Sequence, residues 1–280
     1  MPKHAPRSGL RRSFFFLLIS AAALAIAPPV SAHETWILAG SARIPVPGVV
    51  PVVLTSGMVF PRPVTSVRPE RLEKSGIRIG NEDSGTLKPR AEMGSTLLAT
   101  AELGRPGIAR VWLKLPALPV ELTPELVDVY LDEIQANPEV RRAWASRKTN
   151  SWREHYEKFA KTILRVGDPG SVDRSWAEPI GGALEIVPES DPTALVPGAP
   201  FTVRVLKYGR PLAGLMLAAQ ESGRRDWQRT DRRGRATFQL AGSGPWLIHG
   251  TQLVRAHFPD AEWQSWFTTL TIPRQGLALR

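Results

Sequence analysis

The side chains in this sequence best suited to chemistry are a small set of imidazoles. The chain has five histidines and no cysteine, so thiolate metal ligands, haem attachment through cysteine and cysteine nucleophiles are excluded. His33 is the one to weigh first. It sits in the stretch SAHETWIL, and a cut after Ala32 would make it the first residue of the chain. A terminal histidine offers two nitrogen donors on one residue, its imidazole and an α-amine that titrates at about 7.7–8.0 and can be deprotonated by a metal. One further imidazole would complete a three-nitrogen, T-shaped site of the kind that suits Cu(II) or Ni(II). His249, His155 and His257 are the candidates for that imidazole, and Glu34 is a candidate oxygen ligand.

Each companion also has an ordinary reading. His155 lies between Trp152 and Phe159, at the border of an apolar stripe, where a hydrogen-bonded, half-buried histidine is common. His249 falls in a predicted strand, and His257 in a loop beside Pro259 and Asp260. The sequence has no HExxH, no histidine pair at i,i+4 and no Asp-rich calcium loop. It also lacks a GxSxG elbow and a convincing Ser-His-Asp ordering. The residues alone thus show no catalytic motif and call for no organic cofactor, and they leave two readings of His33 open: a chelating terminus for a transition metal, or a histidine that falls at the cut by chance.

The elements that must position these residues begin after a leader. Lys3, Arg7, Arg11 and Arg12 precede an apolar run from Phe14 to Ala27, and Pro28-Pro29 and Val30-Ser31-Ala32 follow. The run is shorter than the roughly 20 residues a membrane span needs. Residues 1–32 therefore read as a cleaved Sec-type signal peptide, which predicts a periplasmic protein that does not span the membrane after processing. Loss of the leader removes four basic and no acidic residues, lowering the formal charge from +10 to +6. Arginine is scattered, with denser pairs at Arg141-Arg142, Arg224-Arg225 and Arg232-Arg233, which argues against nucleic acid as the partner of an exported chain.

Residues 33–122 contain VVPVVLTSG, GIRIG, STLLATAEL and IARVWLKL, short Val-, Ile- and Leu-rich runs punctuated by Gly and Pro, which predict an antiparallel β-rich domain. Residues 123–170 predict a helical segment. Thr123-Pro124-Glu125 opens a first helix, Glu139 to Arg147 forms a second, and Trp152, Tyr156, Phe159, Ile163 and Val166 suggest a third over Ser151 to Val166. Residues 171–280 return to strands, including PFTVRVLKYGRPLAGLMLAAQ, QRTDRRGRATFQL and WFTTLTI, and predict an immunoglobulin-like sandwich. The fold class expected is mainly β: two antiparallel β-sandwich, Ig-like domains with about three helices between them.

Together AHETWIL, SGMVFPRPVTSVRPERL, WREHYEKFAKTILRVG, GRPLAGLMLAAQ, TDRRGRATFQL and GPWLIHGTQLVRA resemble a family of exported bacterial proteins with an uncharacterised domain, labelled nickel-uptake or NikM-like periplasmic proteins. The resemblance implies a transthyretin-like, carboxypeptidase-regulatory-like C-terminal sandwich. It also implies a role in binding or delivering nickel or cobalt at the envelope, with an inner-membrane metal transporter or another envelope protein as partner. His33 matches the histidine that opens the family's mature chain, and Tyr156 and Lys161 match its motif. Many members carry a histidine where this chain has Gln252; His249 lies three residues earlier. Two other readings stand beside metal uptake: a non-catalytic envelope scaffold, and a histidine-brace copper oxidase, which would need an open substrate face.

Overall fold

The computed structural model describes residues 1, 33–147, 150–168, 173–242, 244–256 and 258–274. The expected signal peptide and His257 lie outside the described residues. In chain order, β1 (Glu34–Ala39), β2 (Gly48–Gly57), β3 (Ser75–Ile79), β4 (Lys88–Met93), β5 (Thr96–Leu103) and β6 (Gly107–Leu122) come first. Helices α1 (Pro124–Glu133) and α2 (Pro138–Ala145) follow, then the long strand β7 (Trp152–Val166). The chain continues through β8 (Leu184–Pro188), β9 (Pro200–Lys207), β10 (Met216–Glu221) and β11 (Arg224–Arg229). It ends with β12 (Arg235–Gln239), β13 (Trp246–Arg255) and β14 (Trp263–Ile272).

Three sheets result. The first runs β1-β2-β5-β4. The middle sheet has nine strands and runs β11-β10-β13-β14-β7-β6-β3, with the short Glu82–Gly85 strand beyond β3 and Arg43–Ile44 beside the end of β7. The third is built on β9, with β8 and β12 paired to it. Pairing is antiparallel except where β7 meets β14 and Arg43–Ile44. The fold is mainly β, as expected. The middle sheet, however, takes strands from both ends of the sequence and is shared by two cores. One core joins it to the first sheet through Ile37, Leu54, Leu97, Val111 and Leu164; the other joins it to the third through Ile163, Val203, Phe238, Ile248 and Leu270. Each such side chain contributes about 1.5–3 kcal/mol by leaving water.

The third helix is the clear departure from expectation: residues 152–166 form the strand at the centre of the shared sheet. Ala160, Leu164 and Val166 enter the first core while Ile163 enters the second. A strand buried on both faces has no reason to alternate apolar with polar residues, so its run FAKTILRV lacks the usual period of two. The two remaining helices sit near their predicted places. Pro124 opens α1 without a side-chain cap from Thr123. Asn137 caps α2 by accepting from the Val140 amide at 2.9 Å. Both helices cover one end of the middle sheet, where Trp152 stacks on Trp263 with ring centroids 4.5 Å apart.

Candidate functional site

β1 does more than pair with β2. It crosses the face of the middle sheet, and the crossing is fixed by polar contacts at its start. Thr269 on β14 donates its hydroxyl to the Thr35 carbonyl at 2.6 Å, and the Thr35 and Ser56 hydroxyls bond at 2.7 Å. Lys158 on β7 donates its ammonium to the His33 carbonyl at 2.5 Å. The head of β1 is thereby tied to the two strands at the centre of the shared sheet.

The crossing brings Glu34 onto His249. Oε1 of Glu34 lies 3.0 Å from Nδ1 of His249, and the two side chains are only 7% and 4% exposed. His249 is held by strands on both sides, opposite Ala218 of β10 and Thr269 of β14. The Trp227 ring, from β11, lies edge-on with its centroid 6.0 Å from the imidazole. The far atoms of the pair, Glu34 Oε2 and His249 Nε2, are buried and have no hydrogen-bond partner, and the same holds for the Thr251 hydroxyl two residues along β13. Buried polar atoms are rarely left unpaired in a folded protein. Two of them on one carboxylate–imidazole pair mark a place able to accept a ligand.

The surrounding charge is cationic. Burial pushes the Lys158 ammonium down to about 8, with Glu34 opposing the shift and Arg71 adding to it. Burial also lowers the pKa of the half-buried His33 imidazole; Lys158 reinforces that shift and Glu34 opposes it. Neutral imidazole, the form that ligates metals, is thus favoured at His33.

Of the predicted ligands, the structure brings together Glu34 and His249, with His33 adjoining Glu34 in the chain. His155 does not join them. It lies on the opposite face of β7 from Lys158, bonds Asp260 through Nε2 at 2.9 Å and stacks on Phe258 at 5.0 Å. Its row across the sheet lies five residues along β7 from the Ala160–Thr269–His249 row, roughly 16 Å at strand rise. His257 lies outside the described residues. Among the described residues no three His, Cys, Asp or Glu converge closely enough to hold a metal ion. Sequence reasoning missed Lys158, Trp227 and Thr251, and no local motif signals them, because strand register alone brings them to this place.

Among the described residues no helix is long and apolar enough to cross a membrane. Comparison with curated proteins finds no match. Among solved structures, the fibronectin(III)-like modules of Clostridium thermocellum CbhA match at 10% identity, covering 87% of this chain and 94% of that chain. Their TM-score of 0.19 is too low to support any argument. Residues 30–252 match the family described as a domain of unknown function (DUF4198), and the chain belongs to that family.

Proposed function

We propose that this member of the DUF4198 family is a periplasmic transition-metal-binding protein. It would take nickel, cobalt or copper through the histidine that processing after Ala32 places at the head of the chain. The observation that carries this reading is the state of His249: Nδ1 is engaged by Glu34, the residue after His33, while Nε2 is buried and unpartnered. When Nδ1–H donates to a carboxylate, the neutral tautomer is fixed with its lone pair on Nε2, the arrangement that orients metal-ligating histidines. Glu34 then acts by holding His249 and need not itself ligate. The α-amine and imidazole of His33 supply the remaining nitrogens, a set suited to a late transition metal. The ion is cargo for an inner-membrane transporter or another envelope partner.

Calorimetric titration of the processed chain with Ni(II), Co(II) and Cu(II) tests this. One ion should bind per chain. Affinity should be lost when one extra residue precedes His33, and should fall about 10- to 100-fold in Glu34→Gln and His249→Ala. Equal affinity in the processed and extended chains would overturn the proposal.

A second reading, a non-catalytic envelope interaction protein, draws support from the Lys158 ammonium at the site and from the lack of a third converging ligand among the described residues. It predicts that none of the three metals shifts the melting temperature. Oxidase chemistry of the histidine-brace kind would need an open substrate face beside the pair, and the Glu34 and His249 side chains are only 7% and 4% exposed.

A further inference from the structure

The positive charge of this protein is unevenly placed. Of the formal +10, residues 1–32 carry four basic and no acidic side chains, while residues 207–235 carry eight basic and three acidic ones, leaving +1 for the rest. That 29-residue segment supplies the last two strands at one end of the middle sheet. It contains β10 and β11, joined by a tight turn in which Ser222 and Gly223 have φ of 47° and 88°. It then runs through the turn Asp231–Gly234 into β12. β11 is the terminal strand of the nine-stranded sheet, and among the described residues no strand pairs with its outer side.

The arginines here are not used up by internal partners. Arg225 donates to the Met58 carbonyl at 2.6 Å, Arg229 to that of Gly214 at 3.0 Å, and Arg235 pairs with Glu189. Arg224, Arg232 and Arg233 are exposed, and their guanidinium groups have no ion pair among the described residues. Along β11, Arg225 and Arg229 share a face with Trp227, which meets His249, while Arg224 lies on the opposite face. A flat anionic surface would engage one face of such a ribbon. Here arginines lie on both faces of β11 and in the turn that follows it, to either side of the unpaired edge.

We propose that the outer edge of β11 is a docking site for an acidic, extended segment of a partner protein, which adds to the middle sheet as a further strand. Backbone hydrogen bonds along the edge would supply affinity, and Arg224, Arg232 and Arg233 would select for acidic side chains and speed the encounter. The site stands apart from the metal reading, although only two strands, β11 and β10, would separate a strand bound there from the one that carries His249.

The probe is a fluorescein-labelled, end-blocked peptide of alternating glutamate and valine, titrated into the processed chain and read by anisotropy. Saturable one-to-one binding is expected, weakening as salt rises. It should fall at least about tenfold in Arg224→Glu/Arg232→Glu/Arg233→Glu. The same charge change placed elsewhere, Arg68→Glu/Arg90→Glu/Arg142→Glu, should leave it within about twofold. A peptide of equal charge with alternate backbone nitrogens methylated should not bind. Failure of the unmethylated peptide to bind, equal binding of the methylated one, or equal losses in the two triple variants would each overturn the proposal. So would anionic phospholipid vesicles that outcompete the peptide, which would make a membrane the occupant. Aggregation of the edge variant with undiminished peptide binding would reduce the arginines to guards against self-association.

Discussion

Two buried acid–base pairs lie on opposite faces of the shared sheet, and they are finished to different degrees. On the side of the third sheet, Lys161 of β7 meets Glu185 of β8 at 2.5 Å, both about 1% exposed. Every oxygen of Glu185 is occupied, because the amides of Ile180, Gly181 and Gly182 donate to it at 2.8, 2.8 and 3.1 Å. Burial pushes the Glu185 carboxyl up, but Lys161 and those amides outweigh it and hold the pKa below its ordinary value. Burial lowers Lys161, and Glu185 opposes the shift. On the other face, Glu34 and His249 satisfy one atom each and leave one each bare. The first pair is a fastening between sheets. The second leaves two buried polar atoms without partners, which is the capacity the proposed metal site would use.

The largest test of this contrast is Glu185→Ala. It strands a buried ammonium and three amides, and should cost about 3–5 kcal/mol of unfolding free energy, measured by urea denaturation. Glu34→Ala should cost less, about 1–3 kcal/mol, since it frees one imidazole nitrogen. A loss from Glu34→Ala as great as that from Glu185→Ala would erase the distinction.

A smaller effect should appear with pH. In the folded chain Lys158 titrates at about 8, against 10.5 for the unperturbed group, so above pH 8 the unfolded chain binds more protons. Stability should therefore rise between about pH 8 and 10.5, by on the order of 1 kcal/mol once solvent screening is allowed for, and Lys158→Met should flatten the rise. Lys207 lies on the opposite face, its ammonium 2.7 Å from the Trp266 ring centroid, and burial lowers it to about 7 with Glu157 opposing. It should steepen the profile from lower pH, a contribution that Lys207→Met removes.

The smallest change should come from replacing both members of the half-satisfied pair. Glu34→Leu/His249→Leu should leave stability within about 1 kcal/mol of the parent while abolishing metal affinity. The matching Lys161→Leu/Glu185→Leu exchange orphans three backbone amides and should not be tolerated so well.

Much of the β architecture was legible because its strands announce themselves. STLLATAEL alternates between a buried and a partly exposed face, and Gly and Pro mark the turns. β7 was not legible, since burial on both faces removed the alternation, and its aromatic residues fell by coincidence at helical intervals. At the site, composition and the position of His33 sufficed to nominate that residue. The pairing of Glu34 with His249, 215 positions apart, depends on how β1 crosses β13, and no local pattern encodes that crossing. Lys161 read as a motif residue of no stated role; its fastening of two sheets became visible only when Glu185 arrived beside it.

The bond from Thr269 to Thr35 joins residues 234 positions apart, near the two ends of the described chain. A polypeptide that emerges from its amino end must therefore keep its first strand waiting until nearly all of the rest has appeared, and closure of so long a loop is slow. On the proposed metal reading, the histidine end and its seat would be completed separately, and an ion would be captured only by molecules that have finished both.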